Sequence, residues 1–189
     1  MKHFKNFKTC VYCTAQTLAS LDETTLARDY AYLEKYVGID KVYLETYRDG
    51  TWVAIDHMKM IQNFFKEHGV EIAGGITAVT PPLEKDDAKR QRLFQTFCYS
   101  NETMRTYLKK IVTYTAELFD EIILDDFFFT SCTCDDCLRE RSNLSWAEFR
   151  SNKMIDVAEN LVLKPAKLAN PSVKVTIKYP NWRESYHET

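Results

Sequence analysis

Hydrophobic and polar positions along the chain follow two alternating periods, which predict strands and helices in turn. The run of β-branched and aromatic residues at 7–14 predicts a first strand. Apolar residues from Leu26 to Val37 recur at helical spacing and are followed by Gly38, so they predict a helix that ends there. The same criteria predict further strands over 40–46, 70–79, 121–128 and 173–179, and further helices over 55–68, 102–119 and 145–163.

Local signals sharpen three boundaries of this pattern. The third predicted strand is stopped by Pro81-Pro82, and a long polar loop then runs to about residue 101. The last helix opens at Ser145 with the Ser-x-x-Glu spacing of a capping box. Pro165 is expected to kink or end that helix, because proline lacks the backbone N–H that a helix interior requires.

The order of elements predicts an α/β fold with a parallel sheet and right-handed crossovers. A (β/α)8 TIM-barrel is favoured over a doubly wound sheet because no glycine-rich turn follows the first strand, and polar and aromatic residues gather just after the strand ends. Complete barrels typically need about 250 residues. Residues 1–189 are therefore predicted to form the N-terminal portion of a barrel, about strands one to five, with the remainder missing. The alternative is a complete five-stranded open sheet.

Composition and charge exclude some partners and favour one. A net charge of -2 gives no electrostatic footprint for nucleic acid. No apolar run approaches the roughly 20 residues that span a bilayer, so no membrane association is expected. The N-terminus leaves a cytoplasmic protein and an exported one without its signal peptide equally open. Aromatic residues make up 13% of the chain, which suits either a large core or the stacking of sugar rings.

Three of the six cysteines lie within six residues, a spacing typical of a metal site. Cys132, Cys134 and Cys137 could converge on one zinc ion, and Cys98 is the favoured fourth ligand because its loop would neighbour theirs in a barrel. Four thiolates would close the site, which predicts a structural zinc. Free thiols, a disulfide and an iron–sulfur cluster are the alternatives. Cys10 and Cys13 point to opposite strand faces and are interpreted as buried apolar residues.

Charged and aromatic residues follow the ends of three predicted strands, where a barrel keeps its active site. Asp125 and Asp126 end the fourth strand and are candidate catalytic carboxylates, since glycosidic hydrolysis needs two carboxyl groups. The alternative is a structural role, in which one of these carboxylates caps the next turn and the other forms an ion pair with Arg or Lys. The candidate substrate-binding residues end the second and fifth strands: Glu45, Tyr47, Arg48, Lys178, Tyr179, Asn181 and Trp182.

Between residues 90 and 150 the chain resembles glycoside hydrolase family 42, the β-galactosidase type. The resemblance lies in Cys98-Tyr-Ser-Asn101, Met104-Arg105, Ile111-Val112, the acidic strand end, Cys132-x-Cys134-x-x-Cys137 and Trp146-x-x-Phe149-Arg150. It implies a barrel with a four-cysteine zinc site and an acid/base residue at the end of the fourth strand, the place that Asp126 takes. Asp125-Asp126 stands where that family has Asn-Glu. The nucleophile would be a glutamate at the end of strand seven. A related group of glycoside hydrolases with an Asp-Asp-Phe-Phe strand end is the looser reading.

Three functions follow as hypotheses. The first is a glycoside hydrolase acting on oligo- or polysaccharides, as a monomer or a homo-oligomer. The second is a non-catalytic carbohydrate-binding barrel that keeps a structural zinc site. The third is an enzyme whose zinc is catalytic, which requires an open coordination position and therefore three thiolates rather than four.

Overall fold

A computed structural model describes residues 4–80, 92–125 and 128–178. Its strands are β1 (Cys10–Cys13), β2 (Lys41–Arg48), β3 (Thr51–Trp52), β4 (Glu71–Ile76), β5 (Glu121–Leu124) and β6 (Lys174–Ile177). Its α-helices are α1 (Ala15–Ser20), α2 (Glu23–Tyr36), α3 (Ile55–Glu67), α4 (Glu102–Leu118), α5 (Asp135–Arg141), α6 (Trp146–Asp156) and α7 (Lys164–Ala169). A π-helical stretch over Val157–Leu163 joins the last two helices.

The strands form one sheet in the order β1-β2-β4-β5-β6, and each neighbouring pair in that path is parallel. These five strands are the five that the sequence predicts. Spatial order follows chain order without a reversal, whereas a doubly wound sheet reverses at a switch point. The arrangement is therefore that of the N-terminal part of a TIM barrel, and the predicted fold class is confirmed.

Helix boundaries follow local capping chemistry. The predicted capping box is present: Ser145 accepts a hydrogen bond from the backbone of Glu148, whose side chain accepts one from the Ser145 N–H. Asn101 caps α4 through a hydrogen bond from the N–H of Met104. Gly38 follows α2 with a φ of 72°, a left-handed conformation that other residues rarely adopt. These caps orient the helices that cover the sheet.

Two adjacent glycines of β4 mark the two faces of the sheet. A Cβ on Gly74 would lie 2.6 Å from Cγ2 of Thr115 and 2.7 Å from Cδ2 of Phe119, so α4 packs directly on the backbone there. A Cβ on Gly75 would lie 2.6 Å from the hydroxyl of Tyr12, on the opposite face. The Gly74 face, called the outer face below, carries α4. The Gly75 face, called the inner face, corresponds to a barrel interior.

The structure corrects five details of the predicted pattern. The short helices α1 and α5 and the antiparallel hairpin strand β3 were not predicted. Pro165 does not end its helix, because it lies in the first turn of α7 just after the π-helical stretch. Cys10 is exposed rather than buried.

Within the described ranges, no helix has the length and apolarity needed to cross a membrane.

Candidate active site and metal centre

Three predicted substrate-site or catalytic residues meet at the carboxyl ends of β2, β5 and β6. The carboxylate of Asp125 lies 3.5 Å from Nη2 of Arg48 and 3.2 Å from Nζ of Lys178. Parallel strands bring their carboxyl ends to one edge, which explains why residues so distant in sequence converge. We call this the rim cluster: Arg48, Asp125 and Lys178. It places two cations around one carboxylate on the inner face.

Glu45 lies beneath the rim cluster and is completely buried. Its carboxylate accepts hydrogen bonds from the hydroxyl of Tyr12 at 2.8 Å, the N–H of Ala15 at 2.6 Å and the hydroxyl of Thr77. Nε of Arg48 also donates to it, at 2.9 Å and 3.1 Å from its two oxygens. Because every approach to the carboxylate is occupied by protein, Glu45 is built to hold Arg48 in place rather than to contact a ligand.

The interaction between Glu45 and Arg48 keeps the guanidinium charged and directed toward Asp125. Burial opposes the charged form of Arg48, but the hydrogen bond and the charge of Glu45 raise its pKa above the usual value. Burial, and then the neighbouring charge of Glu45, raise the pKa of Tyr12 far above that of a free phenol. Tyr12 therefore remains a neutral hydrogen-bond donor to Glu45.

Tyr47 is not at the rim, in contrast to its prediction as a substrate-binding residue. A register shift between Glu45 and Tyr47 breaks the strict alternation of β2, and Tyr47 lies in the core with Trp52 and Tyr107. Its hydroxyl donates to the carbonyl of Val79 at 2.9 Å. With no exposed surface, its ring cannot stack on a sugar. The remaining predicted residues, Asp126, Tyr179, Asn181 and Trp182, lie outside the described residues.

All four predicted metal ligands come together beside this sheet edge. The sulfurs of Cys98, Cys132, Cys134 and Cys137 lie within 4.8 Å of one another. Cys98 precedes α4, while the other three lie in the loop after β5 and the first turn of α5. The position of its sulfur supports Cys98, rather than Cys10 or Cys13, as the fourth candidate ligand.

The spacing of these sulfurs fits a single tetrahedral ion. Zinc binds thiolate sulfur at about 2.3 Å, so a tetrahedral site separates neighbouring sulfurs by about 3.8 Å. Sγ of Cys98 lies 3.7 Å from Sγ of Cys134 and 3.7 Å from Sγ of Cys137. A disulfide would bring two sulfurs to about 2.05 Å, and all six cysteines are free. The donor set therefore fits one thiophilic ion, with zinc compatible and no open position if all four bind.

The thiols are hydrogen-bonded to one another, and these hydrogen bonds shift their pKa values. Hydrogen bonds from Cys137 and Cys98 lower the pKa of Cys132 well below that of an ordinary thiol. A hydrogen bond with Cys132 raises the pKa of Cys137 to about 12, and a second one with Cys132 raises the pKa of Cys98. Ionisation of these thiols is therefore coupled, and a metal ion bound by all of them would displace their protons.

Comparison with known proteins decides the family. Residues 1–189 match the family described as "Probable glycosyl hydrolase, catalytic domain". The chain belongs to this glycosyl hydrolase family. An uncharacterized protein of Saccharolobus solfataricus is 33% identical over 207 aligned residues, which cover 97% of this chain. The alignment covers 34% of that relative, so the chain spans about a third of its length.

Membership of this family confirms that the chain is glycoside hydrolase-like, whereas the resemblance to family 42 stays a prediction. Several residues that shape its site were not predicted. Tyr12 and Thr77 hold Glu45 from neighbouring strands, and Ser100 lies with its hydroxyl 3.4 Å from Sγ of Cys137. Tyr12 lies on the inner face of β1, a position that the alternation of side chains along a strand could have predicted. Ser100 is next but one to Cys98, but its contact depends on the folded position of α5.

Proposed function

We propose that this domain is part of a glycoside hydrolase that cleaves glycosidic bonds of oligo- or polysaccharides with paired carboxyl groups. The observation that carries the proposal is the rim cluster at the carboxyl edge of the sheet, in a chain that belongs to a glycosyl hydrolase catalytic-domain family. Barrel enzymes assemble their chemistry at this edge. Guanidinium, ammonium and carboxylate groups together suit the hydroxyl groups of a sugar.

The residues take distinct roles in this proposal. Asp126 donates the proton to the leaving-group oxygen, and a second carboxyl group on another strand acts as nucleophile or base. Asp125, held by Arg48 and Lys178, is a neighbour that orients the site. Lys178 and Arg48 also offer donors to sugar hydroxyls. Tyr179, Asn181 and Trp182 complete the binding surface, Trp182 by stacking on a ring.

The cysteine cluster is proposed to bind a structural zinc ion. With four thiolate ligands the ion would be coordinatively saturated, so it supplies cross-linking of two loops rather than chemistry at the glycosidic bond. The loops it would join carry Cys98 on one side and Cys132 to Cys137 on the other. The loop with Cys132 to Cys137 follows the end of β5, where Asp125 lies. A bound ion would therefore stabilise the chain next to the rim cluster. An enzyme with a catalytic zinc is disfavoured by the presence of four thiols rather than three.

The test is hydrolysis of a panel of oligosaccharides, β-galactosides included, by the full natural protein and by Asp126→Asn. The proposal predicts a loss of at least about 100-fold in kcat, the usual contribution of a general acid. Asp120→Asn is the matched control, because Asp120 lies at the opposite end of β5 and bonds to Asn170 instead of the rim. Equal rates for wild type and Asp126→Asn would refute the proposed role.

A second candidate function, a carbohydrate-binding domain without catalysis, is favoured by one specific observation. Both described rim-side carboxylates are engaged by protein groups: Glu45 by four donors and Asp125 by two cations. Carboxylates that are engaged in this way are poorly placed to act as an acid or a nucleophile, which favours sugar binding without turnover. Calorimetric binding of an oligosaccharide that is not hydrolysed, with affinity unchanged within about 1 kcal/mol in Asp126→Asn, would support this function over the first.

A further inference from the structure

One tyrosine of β1 reaches across the inner face of the sheet to a glycine of β4. Because β2 lies between these two strands, the phenol of Tyr12 crosses β2 to reach Gly75. The three atoms nearest to an added Cβ on Gly75 all belong to this phenol: Oη at 2.6 Å, Cζ at 2.9 Å and Cε2 at 3.0 Å. A real Cβ does not approach other atoms so closely, so the phenol can occupy this place only beside a residue without a side chain.

The place that Gly75 leaves open is beside Glu45. The two residues are direct partners in the pairing of β4 with β2. From this position the hydroxyl of Tyr12 donates to Oε1 of Glu45 at 2.8 Å. The same oxygen accepts from the hydroxyl of Thr77 and, at 3.1 Å, from Nε of Arg48. The contact between Tyr12 and Gly75 therefore helps to fix the orientation of the Glu45 carboxylate.

The orientation of Glu45 reaches the rim cluster through one side chain. Both oxygens of Glu45 accept from Nε of Arg48, and Nη2 of the same guanidinium lies 3.5 Å from the carboxylate of Asp125. A guanidinium is planar and rigid, so a rotation of the Glu45 carboxylate is passed on to Nη2. A series of contacts thus runs from the barrel interior to the carboxyl edge: Gly75, Tyr12, Glu45, Arg48 and Asp125.

We infer that Gly75 and Tyr12 are positioning residues for the rim cluster, so that the action of the rim on a sugar depends on the space that Gly75 leaves for the phenol. The inference rests on the proposed hydrolase function and deepens it, because it gives a role in that function to two residues that lie beneath the rim. Displacing a group that positions the substrate by about 1 Å can slow a reaction by about 100-fold. Arg48, which is proposed to donate to sugar hydroxyls, would transmit such a displacement directly.

The experiment compares the same substitution at two adjacent glycines in the full natural protein. Gly75→Ala would push the phenol of Tyr12 away from Glu45 and is expected to lower kcat for oligosaccharide hydrolysis by about 10- to 100-fold. Gly74→Ala is the matched control, because its Cβ would meet Thr115 at 2.6 Å on the outer face and crowd the core there. It is expected to lower the unfolding temperature but to keep kcat within a few-fold.

A second pair of variants tests the hydroxyl without added crowding. Tyr12→Phe removes the hydrogen bond to Glu45 and is expected to lower kcat by about 3- to 10-fold. Tyr43→Phe is its control, because the Tyr43 ring stacks on that of Tyr12 at 6.3 Å while its hydroxyl lies 3.4 Å from Glu121, at the start of β5. Adding Tyr12→Phe to Gly75→Ala is expected to cause little further loss, since the hydrogen bond is already broken.

Three results would each refute the positioning role. The first is an equal kcat in Gly75→Ala and Gly74→Ala when thermal unfolding shows that both variants are folded. The second is full activity in Tyr12→Phe. The third is a double variant whose loss is the product of the two single losses, because the two residues would then act separately. If Gly75→Ala does not fold, the comparison of Tyr12→Phe with Tyr43→Phe decides the question.

Failure of the proposed hydrolase function gives a different result. A wild-type protein that hydrolyses no oligosaccharide of the panel refutes that function, and oligosaccharide affinity measured by calorimetry then replaces kcat. Affinity that falls in Gly75→Ala and persists in Gly74→Ala supports the positioning role at a rim that binds sugar. Equal affinities in the two variants refute it, and a wild-type protein that neither hydrolyses nor binds an oligosaccharide refutes both proposals.

Discussion

The buried carboxylate of Glu45 offers the sharpest prediction about stability. The change is Glu45→Gln, which keeps the shape of the side chain, removes its charge and places an amide NH2 where acceptors are needed. In the folded protein this carboxylate accepts from Tyr12, Ala15, Arg48 and Thr77 and has no exposed surface. The variant therefore leaves the Arg48 guanidinium without its main buried partner. It also places the amide NH2, itself a donor, where one carboxylate oxygen accepts hydrogen bonds from the surrounding donors.

The magnitude follows from two independent estimates. Removing one partner of a buried ion pair costs about 3–5 kcal/mol. Counting instead two buried donors that lose their acceptor, at about 1–3 kcal/mol each, gives a similar range of about 2–6 kcal/mol. We expect the free energy of unfolding to fall by about 3–5 kcal/mol, a large fraction of the stability of an ordinary domain.

Urea denaturation followed by far-ultraviolet circular dichroism measures this loss. Glu71→Gln is the matched control, since Glu71 pairs with Lys8 on the surface and both side chains are more than half exposed. Exposed pairs contribute little, so the control is expected to unfold almost as wild type does. A loss below about 1 kcal/mol in Glu45→Gln would refute the role of Glu45 as a buried anchor of Arg48.

Three further predictions address the core, the metal and pH. Gly74→Ala should lower the free energy of unfolding by about 1–3 kcal/mol in urea titrations, because the new Cβ would meet α4 at 2.6 Å; unchanged stability would contradict the described packing. Cys137→Ser should reduce bound zinc, measured by atomic emission after dialysis, from one equivalent per chain to well below that, and retention of a full equivalent would count against the four-thiol site. The hydrogen bond from Arg105 lowers the pKa of Asp156, so its stabilising contribution exists above the ordinary carboxyl pKa and is lost as pH falls through the lowered value. Asp156→Asn should therefore be less stable than wild type by up to about 1 kcal/mol at pH 7, since the side chain is 38% exposed, and thermal unfolding should show the difference disappearing at low pH rather than growing.

Periodicity was sufficient for the parallel strands and the long helices because each buries a continuous face. It was insufficient where a short element depends on its neighbours. The two-residue strand Thr51–Trp52 exists only by pairing with β2, although the Asp49-Gly50 turn before it was a usable signal. The helix Asp135–Arg141 is too short for a periodic pattern and begins directly after Cys134, within the cysteine cluster.

The candidate site shows the same division. Sequence reasoning could place Arg48, Asp125 and Lys178 at one edge, since parallel strands end together. It assigned Tyr47 to that edge from its position at the end of the second strand, and the register shift in β2 sends the ring into the core instead. A shift of one position depends on the tertiary pairing of β2 with β4, and nothing in the local residues around Glu45 announces it.

The most direct test of the proposed hydrolase function is mass spectrometry of an oligosaccharide panel incubated with the full natural protein. Hydrolysis would give shorter products whose summed mass exceeds that of the substrate by one water, formed by wild type and lost in Asp126→Asn. Oligosaccharides that bind measurably to the rim and yet keep their original masses would contradict hydrolysis and leave a carbohydrate-binding barrel.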